Sequence, residues 1–421
     1  MSRSLNFVPM NTHRDDPLQE HHPNGGSKRV RVLYSFPHKL GADRICTTAW
    51  QQVNGLSAAG AEVLVCPGAL SRPVSSNIRV RPTLARGNIR IPYKILGSMR
   101  AFALHDYIVS RRLEKMVGQV DIVHTWPSGA LRTLKTAARL GIPAVLERPN
   151  AHTRFAYEVV QKECERLGIV LPSNHEHAFK EDVLIKEEAE YELAYRLLCP
   201  SDFVARTFLD RGFAQEKIAR HQYGFDEKVY YPGRAPREDR TGLSMLFVGG
   251  CAPRKGLHYA LQAWLQSEAH SDGKFLIAGA FVPGYAEKLA PMLDHPSVHV
   301  LGHRNDVPEL MRNSDVLILP SIEEGSALVT SEAQGSGCVL LVSEAAGAIC
   351  KHMESALVHR VGDVQTLTQH INTLHQDRAL LERMRESAIR RIPEITWTAA
   401  GVKLLEVYRA TIAAKHEENR Q

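Results

Sequence analysis

Short runs of branched apolar residues, separated by helix-length segments and repeated in two series, constrain this chain more than any other feature. The first series falls at residues 30–35, 62–66, 120–125, 142–147 and 197–200, and the second at 243–248, 274–278, 298–301, 315–319 and 339–342. Each run is too short for a helix and lacks the alternation of a half-solvated strand, so each reads as a parallel strand buried on both faces. Strands alternating with helices predict an α/β chain, and two series predict two Rossmann-like, doubly wound domains. At 421 residues the chain has length enough for both. Residues 1–28 are polar and without period and read as a disordered leader, followed by a first domain over 29–232. A Gly, Arg, Pro, Glu and Asp stretch at 233–242 reads as the linker, and the second domain runs over 243–395; Ser201 reads as the cap of a helix over 202–209, and 364–384 reads as one helix.

In an open parallel sheet ligands bind outside the carboxyl ends of the strands, so the residues that follow each run matter most. After 315–319 comes Pro320-Ser-Ile-Glu-Glu-Gly-Ser326, then a segment of helical spacing over 327–336 that stops at Gly335 and Gly337. Glu324 lies at the mouth of this loop and Glu332 eight residues on, slightly more than two helical turns, so both carboxylates point the same way. A carboxylate on a small, apolar helix face needs hydrogen-bond donors, which sugar or ribose hydroxyls supply. The same pair also reads as a helix-capping acid and a solvated helix residue. After 243–248 comes Gly249-Gly-Cys-Ala-Pro-Arg-Lys-Gly256, where Arg254 and Lys255 are two adjacent cations placed to neutralise a diphosphate. The first domain opens strand-helix-strand without Gly-x-Gly-x-x-Gly, which removes support for a dinucleotide fingerprint.

The set Glu324-x7-Glu332, within Pro-Ser-x-x-Glu-Gly-Ser and followed by Glu-Ala-x-x-x-Gly, resembles the signature of a large family of retaining glycosyltransferases. That family, glycosyltransferase family 4-like or group 1, includes sucrose and mannosyl transferases and has the GT-B fold, two Rossmann-like domains facing across a cleft. The resemblance implies that Glu324 sits by the donor sugar and Glu332 holds the nucleotide ribose. It implies that the backbone of Gly325, Ser326, Ala327, Leu328 and Val329 meets the donor's sugar and phosphates. Lys255 matches the family's Lys-Gly, whereas the family's earlier arginine is here Gly250, beside Gly249, and Arg254 is the substitute. Gly302, His303 and Arg304 fall where the family contacts the base. His152 falls where a family histidine approaches the transferred sugar, followed here by Thr153 in place of glycine. Gly41 is the single match to a glycine loop by the donor phosphate and acceptor, and residues 396–421 match a terminal helix that crosses back over the first domain.

The implied activity is transfer of a hexosyl group from a nucleotide-diphosphate sugar, held by the second domain, to a glycan, lipid-linked or small-molecule acceptor, held by the first, with retention of anomeric configuration. A nucleotide-sugar epimerase or hydrolase on the same fold, and a non-catalytic nucleotide-sugar-binding protein, are the competing readings. With Arg254 and Lys255 supplying positive charge, and no Asp-x-Asp cluster in the sequence, neither a metal nor another cofactor is expected. The seven cysteines never fall in Cys-x-x-Cys spacing and read as reduced thiols.

Charge is uneven. Residues 1–140 carry 20 Lys and Arg against 8 Asp and Glu, while the rest of the chain is net acidic. Between Arg72 and Arg112 nine cations are opposed by Asp106 alone, a patch that suits an anionic membrane surface, a lipid-phosphate acceptor or an acidic glycan. Residues 95–117 show an apolar stripe at helical intervals flanked by cations, which reads either as a membrane-contact helix or as one that packs its stripe into its own domain. No run reaches the ~20 apolar residues needed to span a bilayer, and the expected place is the cytoplasm, at the inner face of the membrane. Nucleic acid is not an expected partner.

Overall fold

The computed structural model describes residues 29–86, 89–90, 97–233 and 242–420. The expected leader, most of the linker, and Lys94, Ile95 and Leu96 lie outside these residues. The first sheet comprises β1 (Arg31–Leu40), β2 (Glu62–Leu70), β3 (Arg79–Val80), β4 (Ile122–Thr125), β5 (Ala144–Glu147), β6 (Arg196–Cys199) and β7 (Ile218–Arg220). The second comprises β8 (Ser244–Val248), β9 (Lys274–Ala278), β10 (Val298–Gly302), β11 (Val316–Leu319), β12 (Val339–Ser343) and β13 (Ala356–His359). Their orders are β3-β2-β1-β4-β5-β6-β7 and β10-β9-β8-β11-β12-β13. All pairings within the two sheets are parallel. In each sheet the chain order reverses beside the first strand, between β1 and β4 and between β8 and β11, which places a crevice at both carboxyl edges.

The helices between them are α1 (Ile45–Ala58), α2 (Ser98–Glu114), α3 (Leu131–Arg139), α4 (Thr153–Leu167), α5 (Glu181–Leu193) and α6 (Asp202–Leu209). Those of the second half are α7 (Leu257–Gln266), α8 (Tyr285–Leu293), α9 (Val307–Arg312), α10 (Leu328–Gly335), α11 (Val364–Gln376), α12 (Arg378–Arg390) and α13 (Trp397–Glu418). Several bounds depart from the sequence reading. β1 continues through Leu40 because residues beyond Ser35 keep pairing with β2 after a register shift. The single helix expected over 364–384 is two, because Asp377 caps a fresh helix by accepting from Leu380 N at 2.7 Å. Ser201 caps α6 as expected, accepting from Val204 N at 3.2 Å.

The stripe on α2 faces inward. Phe102, Val109 and Leu113 are buried in the first domain, and the lone acid Asp106 accepts from Arg132 N and Thr133 N at 2.7 and 2.8 Å, capping α3. Of the two readings of the stripe, packing into its own domain is the one observed, and the membrane-contact reading is corrected, since burial in the first domain removes the apolar face from any outside partner.

Two elements tie the halves together. α13 returns to the first domain and crosses α1 where Gly55 meets Gly401; a Cβ on Gly401 would lie 2.5 Å from the Gly55 carbonyl carbon, so no larger residue fits. α4 reaches the other way. Val160 and Cys164 pack with Ile322, Leu167 and Ile169 join the core of the second domain, and Glu163 Oε1 lies 2.7 Å from His258 Nε2 and accepts from the Tyr259 hydroxyl at 2.9 Å.

Candidate functional site

The loops after β8 and β11 leave adjacent strands at the reversal point of the second sheet. They are locked together by backbone: Ile322 N donates to Arg254 O at 2.9 Å. Gly256, at φ 68°, lies so near Pro320 that a Cβ would meet its carbonyl oxygen at 2.0 Å. A 3-10 turn over Pro253–Lys255 then projects both cations at the second loop. Arg254 Nη1 is 3.0 Å from Glu324 Oε2, and Lys255 Nζ is in direct contact with Glu324 Oε1. Burial alone would raise the pKa of Glu324, but the Arg254 and Lys255 charges more than offset it and hold the carboxyl at about 2. Arg254 is also held by Glu323, whose backbone carbonyl accepts from Nη1 at 2.8 Å and whose Oε2 is 3.3 Å away.

The first domain covers this cluster from across the cleft. A Cβ on Gly325 would fall 1.6 Å from Pro149 O, so glycine is required where the 148–153 loop lies against it. Ala151 N donates to Glu323 Oε1 at 3.0 Å, and Ser201 Oγ donates to Gly325 O. Behind that loop is a cavity of about 110 Å³ lined by Arg148, Asn150, Tyr157, Glu176, His177 and Glu187 among others. A larger inter-domain cavity of about 350 Å³, between Ser201, Arg220 and Gly347, touches none of Arg254, Lys255 or Glu324.

The remaining expected residues divide. Glu332 is half-buried on α10, where the Tyr230 hydroxyl donates to it; burial raises its pKa to about 7. Of the amides expected to face a donor, that of Ala327 is already taken by Ala346 O at 3.1 Å. Ser326, Leu328 and Val329 are half-buried, and Leu328 packs beside Tyr223 and Trp397. Gly249, with φ 148°, and Gly250 begin the cationic loop. Gly302 ends the edge strand β10, and His303 and Arg304 follow it, both exposed, with Arg304 Nε on Asp306 at 2.8 Å. Gly41, at φ 78°, turns the chain toward α1 against Arg72 and Trp50.

His152 is in the loop that meets the site, but its ring is turned away. It packs among Tyr191, Phe208 and Phe213 with centroids 5.0–6.0 Å apart, and its Nδ1 caps α4 by accepting from Arg154 N at 3.2 Å. Burial first, then Arg148, lowers its pKa to about 3, a neutral imidazole. The backbone of this loop, at Pro149 and Ala151, is what reaches the cluster. Sequence reasoning missed Glu323, although the adjacent acids Glu323-Glu324 matched against the adjacent cations Arg254-Lys255 were a readable signal.

Among the described residues no group of three or more His, Cys, Asp or Glu side chains is arranged to hold a metal ion. No helix among them is long and apolar enough to cross a membrane. All seven cysteines are free.

Two Rossmann-like sheets facing across a cleft, with this charged cluster at the reversal point of the second, define the GT-B glycosyltransferase class. Residues 242–377 match the family described as glycosyl transferases group 1, and residues 47–228 match glycosyltransferase family 4. The chain is 32% identical over 269 residues to an Escherichia coli UDP-Gal:alpha-D-GlcNAc-diphosphoundecaprenol alpha-1,3-galactosyltransferase, covering 62% of this chain and 67% of that one. Similar solved structures include sucrose-phosphate synthase from Thermosynechococcus elongatus, with TM-score 0.63 and 18% identity over 92% of this chain and 100% of that one. Another is the Anabaena protein HepE in complex with UDP, with TM-score 0.60 and 16% identity over 91% and 100%. The chain belongs to the group 1, family 4-like glycosyltransferases, and it is a glycosyltransferase.

Proposed function

We propose that the protein transfers a hexosyl group from a nucleotide-diphosphate sugar to a glycan or lipid-linked acceptor, with retention of anomeric configuration and without a metal. The observation that carries this reading is the Arg254–Glu324–Lys255 cluster at the β8–β11 crevice. Arg254 and Lys255, half-buried around Glu324 with Arg254 also on Glu323, have positive charge placed for a diphosphate: as the donor enters, its phosphates take up part of the pairing that the two carboxylates now satisfy. Arg254 and Lys255 then stabilise the departing diphosphate, a preorganised electrostatic effect for which single donors are typically worth about 3 kcal/mol. Glu324, kept ionised by the same cations, accepts hydrogen bonds from the donor sugar's hydroxyls. Glu332 serves the ribose, and the His152 loop approaches the sugar through its backbone rather than its imidazole.

The Escherichia coli relative, named for a UDP-Gal donor and a GlcNAc-diphosphoundecaprenol acceptor, supports a lipid-linked acceptor here, and with it our proposal that the protein works at the inner face of the membrane. Contact with that face would be electrostatic, through exposed cations such as Arg100 and Lys115, because the α2 stripe is buried. A thermal-shift panel of UDP, GDP, ADP, TDP and CDP and their sugars tests the donor class, since a ligand that binds the native state raises its stability. Turnover of the selected donor without acceptor would favour the epimerase or hydrolase reading. Proton NMR of the product reads the anomeric outcome, and chelator treatment should leave the rate unchanged; a lasting loss would overturn the metal-free mechanism.

A further inference from the structure

Glu323 is fully buried, and both of its carboxylate oxygens face donors from opposite sides of the cleft. Oε1 accepts from the first domain, at Ala151 N, and Oε2 lies against Arg254 Nη1 of the second. Residue Ala151 is gripped through its carbonyl as well, where Arg148 Nη2 donates to Ala151 O at 3.3 Å and to Thr153 Oγ1 at 3.1 Å. Arg148 is itself braced by Glu187 at 3.2 Å. Arg148, Ala151 and Glu187 all line the 110 Å³ cavity, together with Glu176 and His177. A continuous path of polar contacts therefore runs from that cavity through Ala151 and Glu323 to the guanidinium of Arg254.

We infer that Glu323 is a positioning residue for sugar transfer: it aims Arg254 at the donor diphosphate when the 148–153 loop is in place, and so couples the acceptor-side cavity to leaving-group stabilisation. The inference rests on the reading of Arg254 as a diphosphate-binding group. Only a carboxylate fits the position, because a glutamine would turn its NH2 toward a donor on one side or the other. Glu323 touches neither donor nor acceptor in this account and acts through Arg254.

The test is a double-mutant cycle on the full-length chain, with transfer measured using the nucleotide sugar selected from the UDP, GDP, ADP, TDP and CDP panel. Glu323→Gln should lower kcat by roughly thirtyfold, less than the loss of about a hundredfold typical of deleting a donor outright, with the donor KM changed by no more than about threefold. In an Arg254→Ala background the same substitution should cost less than about twofold, because the carboxylate then has nothing left to aim. Equal losses in both backgrounds would show a merely structural residue and overturn the inference, as would a Glu323→Gln enzyme of wild-type kcat. Should Arg254→Ala itself leave transfer intact, the diphosphate reading fails first, and the inference falls with it. If circular dichroism shows Glu323→Gln misfolded, Glu323→Asp takes its place with the same expected pattern, since it keeps the charge but is one carbon too short to reach both donors.

Discussion

Each sheet presents a buried glutamate at its carboxyl edge, Glu324 in the second domain and Glu147 in the first, and the two are surrounded differently. Glu324 is paired with formal cations that retain some exposure, 11% for Arg254 and 16% for Lys255. Glu147 is wholly enclosed and paired with imidazole, phenol and amide groups: His221 Nε2 at 2.9 Å, the Tyr223 hydroxyl at 2.9 Å, Gln52 Nε2 at 3.0 Å and His124 Nε2 at 3.5 Å. Burial opposes the charge on Glu147, and His221 above all overcomes it, leaving its pKa below the usual carboxylate value. Burial leaves His124 neutral, with a pKa of about 3, and its Nδ1 is 2.6 Å from the Tyr408 hydroxyl on the returning α13. One carboxylate thus sits among cations that can exchange it for a diphosphate, and the other joins α1, β4, β5, the 221–223 segment and, through His124, α13. The same residue type, buried in both places, serves chemistry on one face of the cleft in this reading and assembly on the other.

That contrast predicts opposite costs. Lys255→Ala and Glu324→Ala should each lower transfer by about a hundredfold with an unchanged circular dichroism spectrum; wild-type turnover in either would break the contrast at its chemical end. Glu147→Gln should instead cost about 2 kcal/mol of stability, the range for hydrogen bonds to a charged group, read from urea unfolding. Its activity per folded molecule should stay within about threefold of wild type, and a loss as large as that of Lys255→Ala would erase the distinction.

The smallest effect concerns Glu332, whose pKa of about 7 in the folded chain lies above its ordinary 4.5. A raised folded value means that its contribution to stability is fully present below about pH 4.5 and is lost as pH rises toward 7. Wild-type melting temperature should therefore fall across that window by more than that of Glu332→Gln, by a few degrees at most. Parallel pH profiles for the two proteins would remove the burial argument at this position.

The second half of the molecule was the more legible in the sequence, for a physical reason. Its central strands β8, β11 and β12 are largely apolar runs, and Arg254, Lys255 and Glu324 lie within a few positions of strand ends, so strand placement and charge point to them and the family resemblance adds their roles. The first half places its polar residues by tertiary contact. The position of His152 after β5 could be read, but the rotamer that buries its ring with Tyr191 and Phe208 depends on α5 and α6, which lie tens of residues away. The inward face of α2 had the same origin, since an amphipathic period states that a helix has an apolar face and leaves open what covers it. Asp377 broke an expected helix because capping competes with continuation, and the apolar period runs through the break.

The account depends most on the cation pair being the diphosphate site. Calorimetric titration of the full-length chain with the nucleoside diphosphate selected by the panel, wild type against Lys255→Ala, measures that directly. A dissociation constant weaker by about tenfold or more in the variant, equivalent to about 1.4 kcal/mol, is the predicted result; an equal dissociation constant in the two proteins would contradict it.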